Sequence, residues 1–99
     1  MTAFERLQRW FKSQCDGDWE HGMGIVIRTL DNPGWSVKID LEGCDLEEKM
    51  YESIVIRRSE QDWIFTSRKD YEFTISCSIA NIDEALTLFC DWAESDATS

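Results

Sequence analysis

The sequence predicts an α+β domain: an antiparallel sheet of four to five strands, with an N-terminal and a C-terminal helix packed on one face. Three observations carry this. Apolar residues recur with helical period at both ends of the chain, apolar and polar residues alternate through the middle, and glycine- and polar-rich turns separate the alternating runs. Ninety-nine residues make one domain, spanning 1–99 with a frayed tail from about 95, and a chain of this size buries roughly 65% of the surface its unfolded state exposes.

The first helix is expected over 3–15. Thr2 and Glu5 have capping-box spacing, and Phe4, Leu7, Phe11 and Cys15 share a face flanked by Trp10. Gly17 stands where the helix stops. Met23, Ile25, Ile27 and Thr29 alternate with their neighbours, as do Trp35, Val37, Ile39 and Leu41 with Ser36, Lys38, Asp40 and Glu42. Between them, Asp31-Asn32-Pro33-Gly34 has the chemistry of a type II turn, with Pro33 and Gly34 at its centre, so 24–42 reads as an antiparallel hairpin. Leu46 and Met50 are spaced for one helical turn over 44–50. Further strands follow at 53–58, 63–68 and 71–79, the last with Tyr71, Phe73, Ile75, Cys77 and Ile79 alternating. Asn81 opens a second helix with Glu84 at the capping-box offset, and Ile82, Ala85, Leu86, Phe89, Trp92 and Ala93 keep a helical period to about residue 94.

Composition narrows the function. Twenty acidic against ten basic residues give a net charge of −10, while 42% of the residues are hydrophobic, too many for a disordered acidic tail. Such a field repels nucleic acid and anionic membrane and attracts basic proteins, although acidity by itself also serves solubility. Cys15, Cys44, Cys77 and Cys90 form no CxxC pair, and 1–12 carries charges within an amphipathic pattern unlike a signal peptide. A reducing cytosol, with buried free thiols, is the expected home.

Catalytic chemistry finds little support. A single imidazole, His21, is available to activate a cysteine, and there is no GxSxG, HExxH or phosphate-cradling glycine loop. Segment 16–21 concentrates Asp16, Asp18, Trp19, Glu20 and His21 beside Cys15, but lacks the alternating ligands and distant glutamate of an EF-hand. No cofactor, metal or catalytic residue is therefore assigned; a metal-dependent enzyme built on this loop is the weakest reading. Trp10, Trp35, Trp63 and Trp92 lie on or beside core faces. Trp19 either pins its loop to the core, the preferred reading, or anchors a partner.

The acids cluster. Asp40, Glu42, Asp45, Glu47, Glu48 and Glu52 face only Lys49 locally, and the last helix and tail carry Asp83, Glu84, Asp91, Glu94 and Asp96 with no nearby base in sequence. Bases gather at Arg6, Arg9 and Lys12 and at Arg57, Arg58, Arg68 and Lys69. That segregation is what a directional acidic binding face would show, the alternative being a solvated face.

The run Cys15-Asp16-Gly17-Asp18-Trp19-Glu20-His21, then Gly24-Ile25 and Thr29-Leu30-Asp31-Asn32-Pro33-Gly34-Trp35, resembles the immunity protein 53 family of bacterial polymorphic toxin systems. Asp62-Trp63, Phe73, Leu86, Phe89 and Trp92 are similar to its downstream pattern. The resemblance implies a cytosolic antitoxin that binds and blocks a cognate toxin, for which a basic nuclease is the fitting target of an acidic surface. It transfers no catalytic residue. Pro33, Gly34 and Trp35 have structural explanations, whereas Asp18, Glu20 and His21 are left as functional candidates. The expected partner-binding set is Asp16, Asp18, Trp19, Glu20, His21, Asp40, Glu42, Asp45, Glu47 and Glu48. An acidic interaction or ligand-binding module without a toxin is the alternative; the oligomeric state, monomer or weak dimer, is left open.

Overall fold

At the N-terminus the Thr2 hydroxyl accepts the Glu5 N–H at 3.1 Å and the Glu5 carboxylate accepts the Thr2 N–H at 2.9 Å, so the capping box starts α1 (Ala3–Gln14) as expected. In the computed structural model, which describes residues 1–95, this helix precedes five strands and a closing helix. The strands are β1 (Ile25–Leu30), β2 (Gly34–Asp40), β3 (Ile54–Ser59), β4 (Asp62–Lys69) and β5 (Glu72–Cys77), and α2 spans Ile82–Glu94. The expectation of a frayed tail lies, from residue 96 on, outside the described residues. Among those described, no helix is long and apolar enough to cross a membrane.

All pairings are antiparallel, in the order β1-β2-β5-β4-β3. Strand β5 enters between β2 and β4, so segment 41–53 must carry the chain from β2 to the far edge. One sheet face presents Val37, Ile39, Ile64, Phe73, Ile75 and Cys77, all at most 1% exposed, to the two helices. Trp10 of α1 meets Phe89 of α2 edge-on at 5.1 Å, Phe89 meets Phe73 at 5.0 Å, and Trp92 stacks on Phe73 at 5.4 Å. Those aromatic contacts join both helices to the sheet through one core. Arg6 of α1 reaches Asp91 at 2.9 Å and Glu94 at 3.1 Å on α2, and Arg58 of β3 reaches Glu84 at 2.6 Å.

Several local expectations are corrected. The buried stripe of α1 is Ala3, Leu7, Trp10 and Gln14; Phe4 is 58% exposed, Phe11 half-buried and Cys15 exposed. Both stripes satisfy the helical period, and the helix is rolled so that Trp10 faces α2 while Phe4 and Phe11 border edge strand β1. Segment 44–50 forms successive turns rather than a helical turn: Leu46 is buried but Met50 is 90% exposed. Asn81 caps α2 without a capping box. Its amide donates to Asp62 at 2.7 Å and its carbonyl oxygen accepts from Ser78 at 2.8 Å, while Glu84 is occupied by Arg58. Of the four free thiols, Cys77 and Cys90 are buried, Cys44 is half-buried and Cys15 is exposed; burial pushes the Cys77 thiol up to about 11.

The β1–β2 hairpin forms where expected, but not through a type II turn. The Asn32–Pro33 bond is cis, residues 31–33 make the loop, and Gly34 already pairs with Leu30 in the ladder. The glycine is therefore required not for positive φ but for close approach: a Cβ there would collide with the Cys77 carbonyl oxygen on β5. Gly34→Ala should destabilise the domain by about 2 kcal/mol, from forced displacement where the start of β2 meets the end of β5. The urea unfolding midpoint checks this; an unchanged midpoint would show that β5 gives way without cost.

Candidate functional site

Segment 15–22 is short, polar and held by its own carboxylates. Asp16 Oδ1 accepts the N–H groups of Asp18 at 3.0 Å and Trp19 at 3.1 Å, which starts a single 3-10 turn over Trp19–His21. Glu20 reaches back to accept from Asp16 N–H at 3.0 Å and Gly17 N–H at 2.8 Å. Gly17, at φ +97°, takes the left-handed conformation that turns the chain out of α1. Hydrogen bonds from the Trp19 and Asp18 N–H groups lower the pKa of Asp16 below its ordinary 3.8; backbone N–H groups, its own first and then those of Gly17 and Asp16, lower Glu20 below 4.5.

Trp19 fixes this loop in place. The side chain is 5% exposed, its ring lies 5.5 Å from both Trp10 and Phe11, and its Nε1–H donates to the Asp40 carbonyl at 3.1 Å. Of its two sequence-level readings, the pin to the core is the one realised, so Trp19 contributes position rather than an exposed anchor.

That last hydrogen bond brings the loop against the end of β2. Asp16, Asp18, Asp40 and Glu42, with Trp19, Gly22 and Gly43, line one open cleft of about 390 Å³. The second segment is braced as firmly as the first. Asp40 Oδ1 accepts from Glu42 N–H at 3.0 Å, Glu47 accepts from Gly43 N–H at 2.7 Å, and Asp45 accepts from Trp10 Nε1–H at 3.3 Å. Arg68 lies under the turns, donating to the carbonyls of Leu46 at 2.8 Å and Asp70 at 3.0 Å and to those of Glu47 and Lys49. Lys49, the one base in the acidic stretch, points away: its Nζ caps α2 through Trp92 O at 2.6 Å and Ser95 O at 2.7 Å. Neither cation neutralises the cleft. Among the described residues, no carboxylate of the cleft has a basic side chain within 4.0 Å.

The expected binding residues are thus divided. Asp16, Asp18, Asp40 and Glu42 come together, Asp18 and Glu42 being exposed and, among the described residues, without side-chain hydrogen bonds. Glu20 and Glu47 are turned onto their own backbone, Glu48 and His21 are exposed nearby in sequence, and Asp45 belongs to a separate cleft beside Arg6 and Arg9. The acidity of α2 is corrected: Asp91, Glu94 and Glu84, without bases nearby in sequence, are paired with Arg6 and Arg58 across the fold. Sequence spacing could not reveal those partners, because each pair joins elements far apart in the chain. Among the described residues no three His, Cys, Asp or Glu side chains come close enough to hold a metal ion.

The two lowered carboxyls imply a pH dependence with a definite sign. Their hydrogen bonds are fully present above the ordinary values of 3.8 and 4.5 and are lost as pH falls through the lower values of the folded loop. Amide hydrogen-exchange protection at Gly17, Asp18 and Trp19 should therefore collapse below about pH 4, before that of β5. Equal loss of protection in both places would mean that the carboxylates do not hold the loop.

The chain matches the family model described as immunity protein 53 over residues 4–94. No curated protein and no solved structure matches it. The match includes the 15–22 loop, the hairpin and both helices, which is nearly the whole fold. The chain belongs to the immunity protein 53 family.

Proposed function

We propose that this immunity protein is a stoichiometric inhibitor of a cognate bacterial polymorphic toxin, acting in the cytosol by seating the cleft of Asp16, Asp18, Asp40 and Glu42 on a basic surface of that toxin. Family membership supports the immunity role and the toxin as partner. The observation that carries the choice of surface is the meeting of four carboxylates from two separate segments, on braced backbone, with no base beside them among the described residues. Rigid bracing lowers the ordering cost of association, and an uncompensated negative cleft attracts a cationic partner. A nuclease fits best, since its own substrate site must be cationic to hold phosphates. An inhibitor covering that site needs no catalytic group of its own.

The test is co-expression with the product of the adjacent upstream gene. Growth should be arrested by that product alone and restored by the immunity protein, with DNA or RNA left intact in the rescued cells. Rescue without nucleic-acid protection would replace the nuclease by another toxin class. Failure to rescue would favour an acidic interaction module of a different kind.

A further inference from the structure

The sheet face turned away from the helices has a chemistry opposite to the rest of the chain. One cross-strand row on it runs Arg28, Ser36, Ser76, Phe65, Val55, and the next carries Lys38, Thr74 and Ser67. Small hydroxyl side chains floor the centre, with the Ser67 and Thr74 hydroxyls bonded at 2.9 Å, while cations and aromatics rise at the sides. From β1 to β3 the face spans four inter-strand steps, about 19 Å. Arg28, Lys38 and Arg57 lie on it with no carboxylate within 4.0 Å among the described residues, in a chain of net charge −10. Its strand acids, Asp40 and Glu72, stand at one end, in register with Lys69, and Glu60 of the β3–β4 turn borders the other.

Trp63 distinguishes this face further. Four of the five indole N–H groups donate inside the fold: Trp10 to Asp45, Trp19 to Asp40, Trp35 to Ile79 and Trp92 to Met50. Trp63, which sequence pattern placed beside the core, is half-buried on the open face, and among the described residues its Nε1–H has no acceptor. Its ring lies 5.1 Å from that of Phe65, with the Arg57 guanidinium 5.3 Å from the Phe65 centroid. Together with Asn32, Arg58 and Glu60 these side chains border a cleft of about 410 Å³. Arg58 is already committed to Asp62 and Glu84.

We propose that this face is a second docking surface, for an extended acidic segment of a partner polypeptide. Carboxylates of the segment pair with Arg28, Lys38 and Arg57, an apolar or aromatic side chain packs on Trp63 and Phe65, and the free indole N–H donates to a carboxylate or carbonyl oxygen. Charge complementarity selects the occupant: the acidic cleft takes a basic surface, and this face takes the reverse. A nucleic-acid strand fits less well, because it carries a phosphate at every nucleotide, whereas a polypeptide can set carboxylates opposite the three cations and uncharged side chains opposite Asp40 and Glu72.

The probe is a fluorescein-labelled ten-residue peptide with three glutamates, one central phenylalanine and serine at the remaining positions, titrated by anisotropy against the full chain at low salt. Binding should weaken at least tenfold in the double variant Lys38→Glu, Arg57→Glu and severalfold in Trp63→Ala. The double variant Arg9→Glu, Lys12→Glu, which changes net charge equally on exposed α1 positions, should bind nearly as the parent does. Absence of peptide binding, equal losses in the two double variants, or tighter binding of a ten-nucleotide single-stranded RNA would each overturn the proposal. No toxin enters the assay, so its failure is separable from failure of the immunity reading.

Discussion

Trp19→Ala is expected to cost about 3–5 kcal/mol, the range for deleting a large buried aromatic side chain. Small domains have only about 5–15 kcal/mol in total, so the variant should sit near the edge of folding, its melting temperature lower by about 15 °C or more. The reason is local as well as global. Trp19 is 5% exposed against Trp10 and Phe11, and its indole bond to Asp40 is the link between the two acidic segments. Truncation therefore opens a cavity under the cleft and releases one wall of it. Trp19→Phe separates these effects, retaining most of the packing while removing the donor to Asp40. It should keep most of the stability yet weaken toxin binding, because Asp16 and Asp18 are no longer held opposite Asp40 and Glu42. Thermal denaturation together with toxin-binding calorimetry checks both variants, and a fully stable Trp19→Ala would sink the pinning role. Trp63→Ala, on the open sheet face, should cost much less.

Reversing Asp18 and Glu42 together to lysine should slow association with a basic toxin by about 10- to 100-fold at low salt while altering stability little. Both side chains are exposed and make no hydrogen bond among the described residues, so the fold does not depend on them. The effect should lie mainly in the on-rate, and it should shrink toward parity in half-molar salt, where the Debye length falls to about 4 Å. Stopped-flow mixing at two salt concentrations reads this directly. An association rate that ignores both the reversal and the salt would remove the acidic cleft from the interface while leaving inhibition through another surface open. Reversing Asp91 should do far less, since that carboxylate already faces Arg6 at 2.9 Å.

The division between what was legible in sequence and what was not follows the range of the interactions. Period and spacing act within a few residues, so both helices, all five strands and the α1 capping box could be read from the chain. The loop at 15–22 was recognisable by its density of acids and by its family pattern. Which of two equivalent stripes α1 buries was not, because Phe4 and Trp10 satisfy the same period and only contact with Phe89 chooses between them. The hairpin's location was readable from Pro33 and Gly34, but the demand on Gly34 comes from the Cys77 carbonyl of another strand, 43 positions away.

By itself, then, the sequence determined the helix-strand-helix order, the excess of negative charge and the family. Tertiary structure alone decided how that charge is distributed. It paired Glu84, Asp91 and Glu94 of α2 with Arg58 and Arg6, turned Lys49 and Arg68 onto backbone carbonyls, and joined Asp16 and Asp18 to Asp40 and Glu42 through the buried ring of Trp19. Coulomb interactions depend on distance in space, and sequence separation carries little information about that distance once the chain folds back on itself.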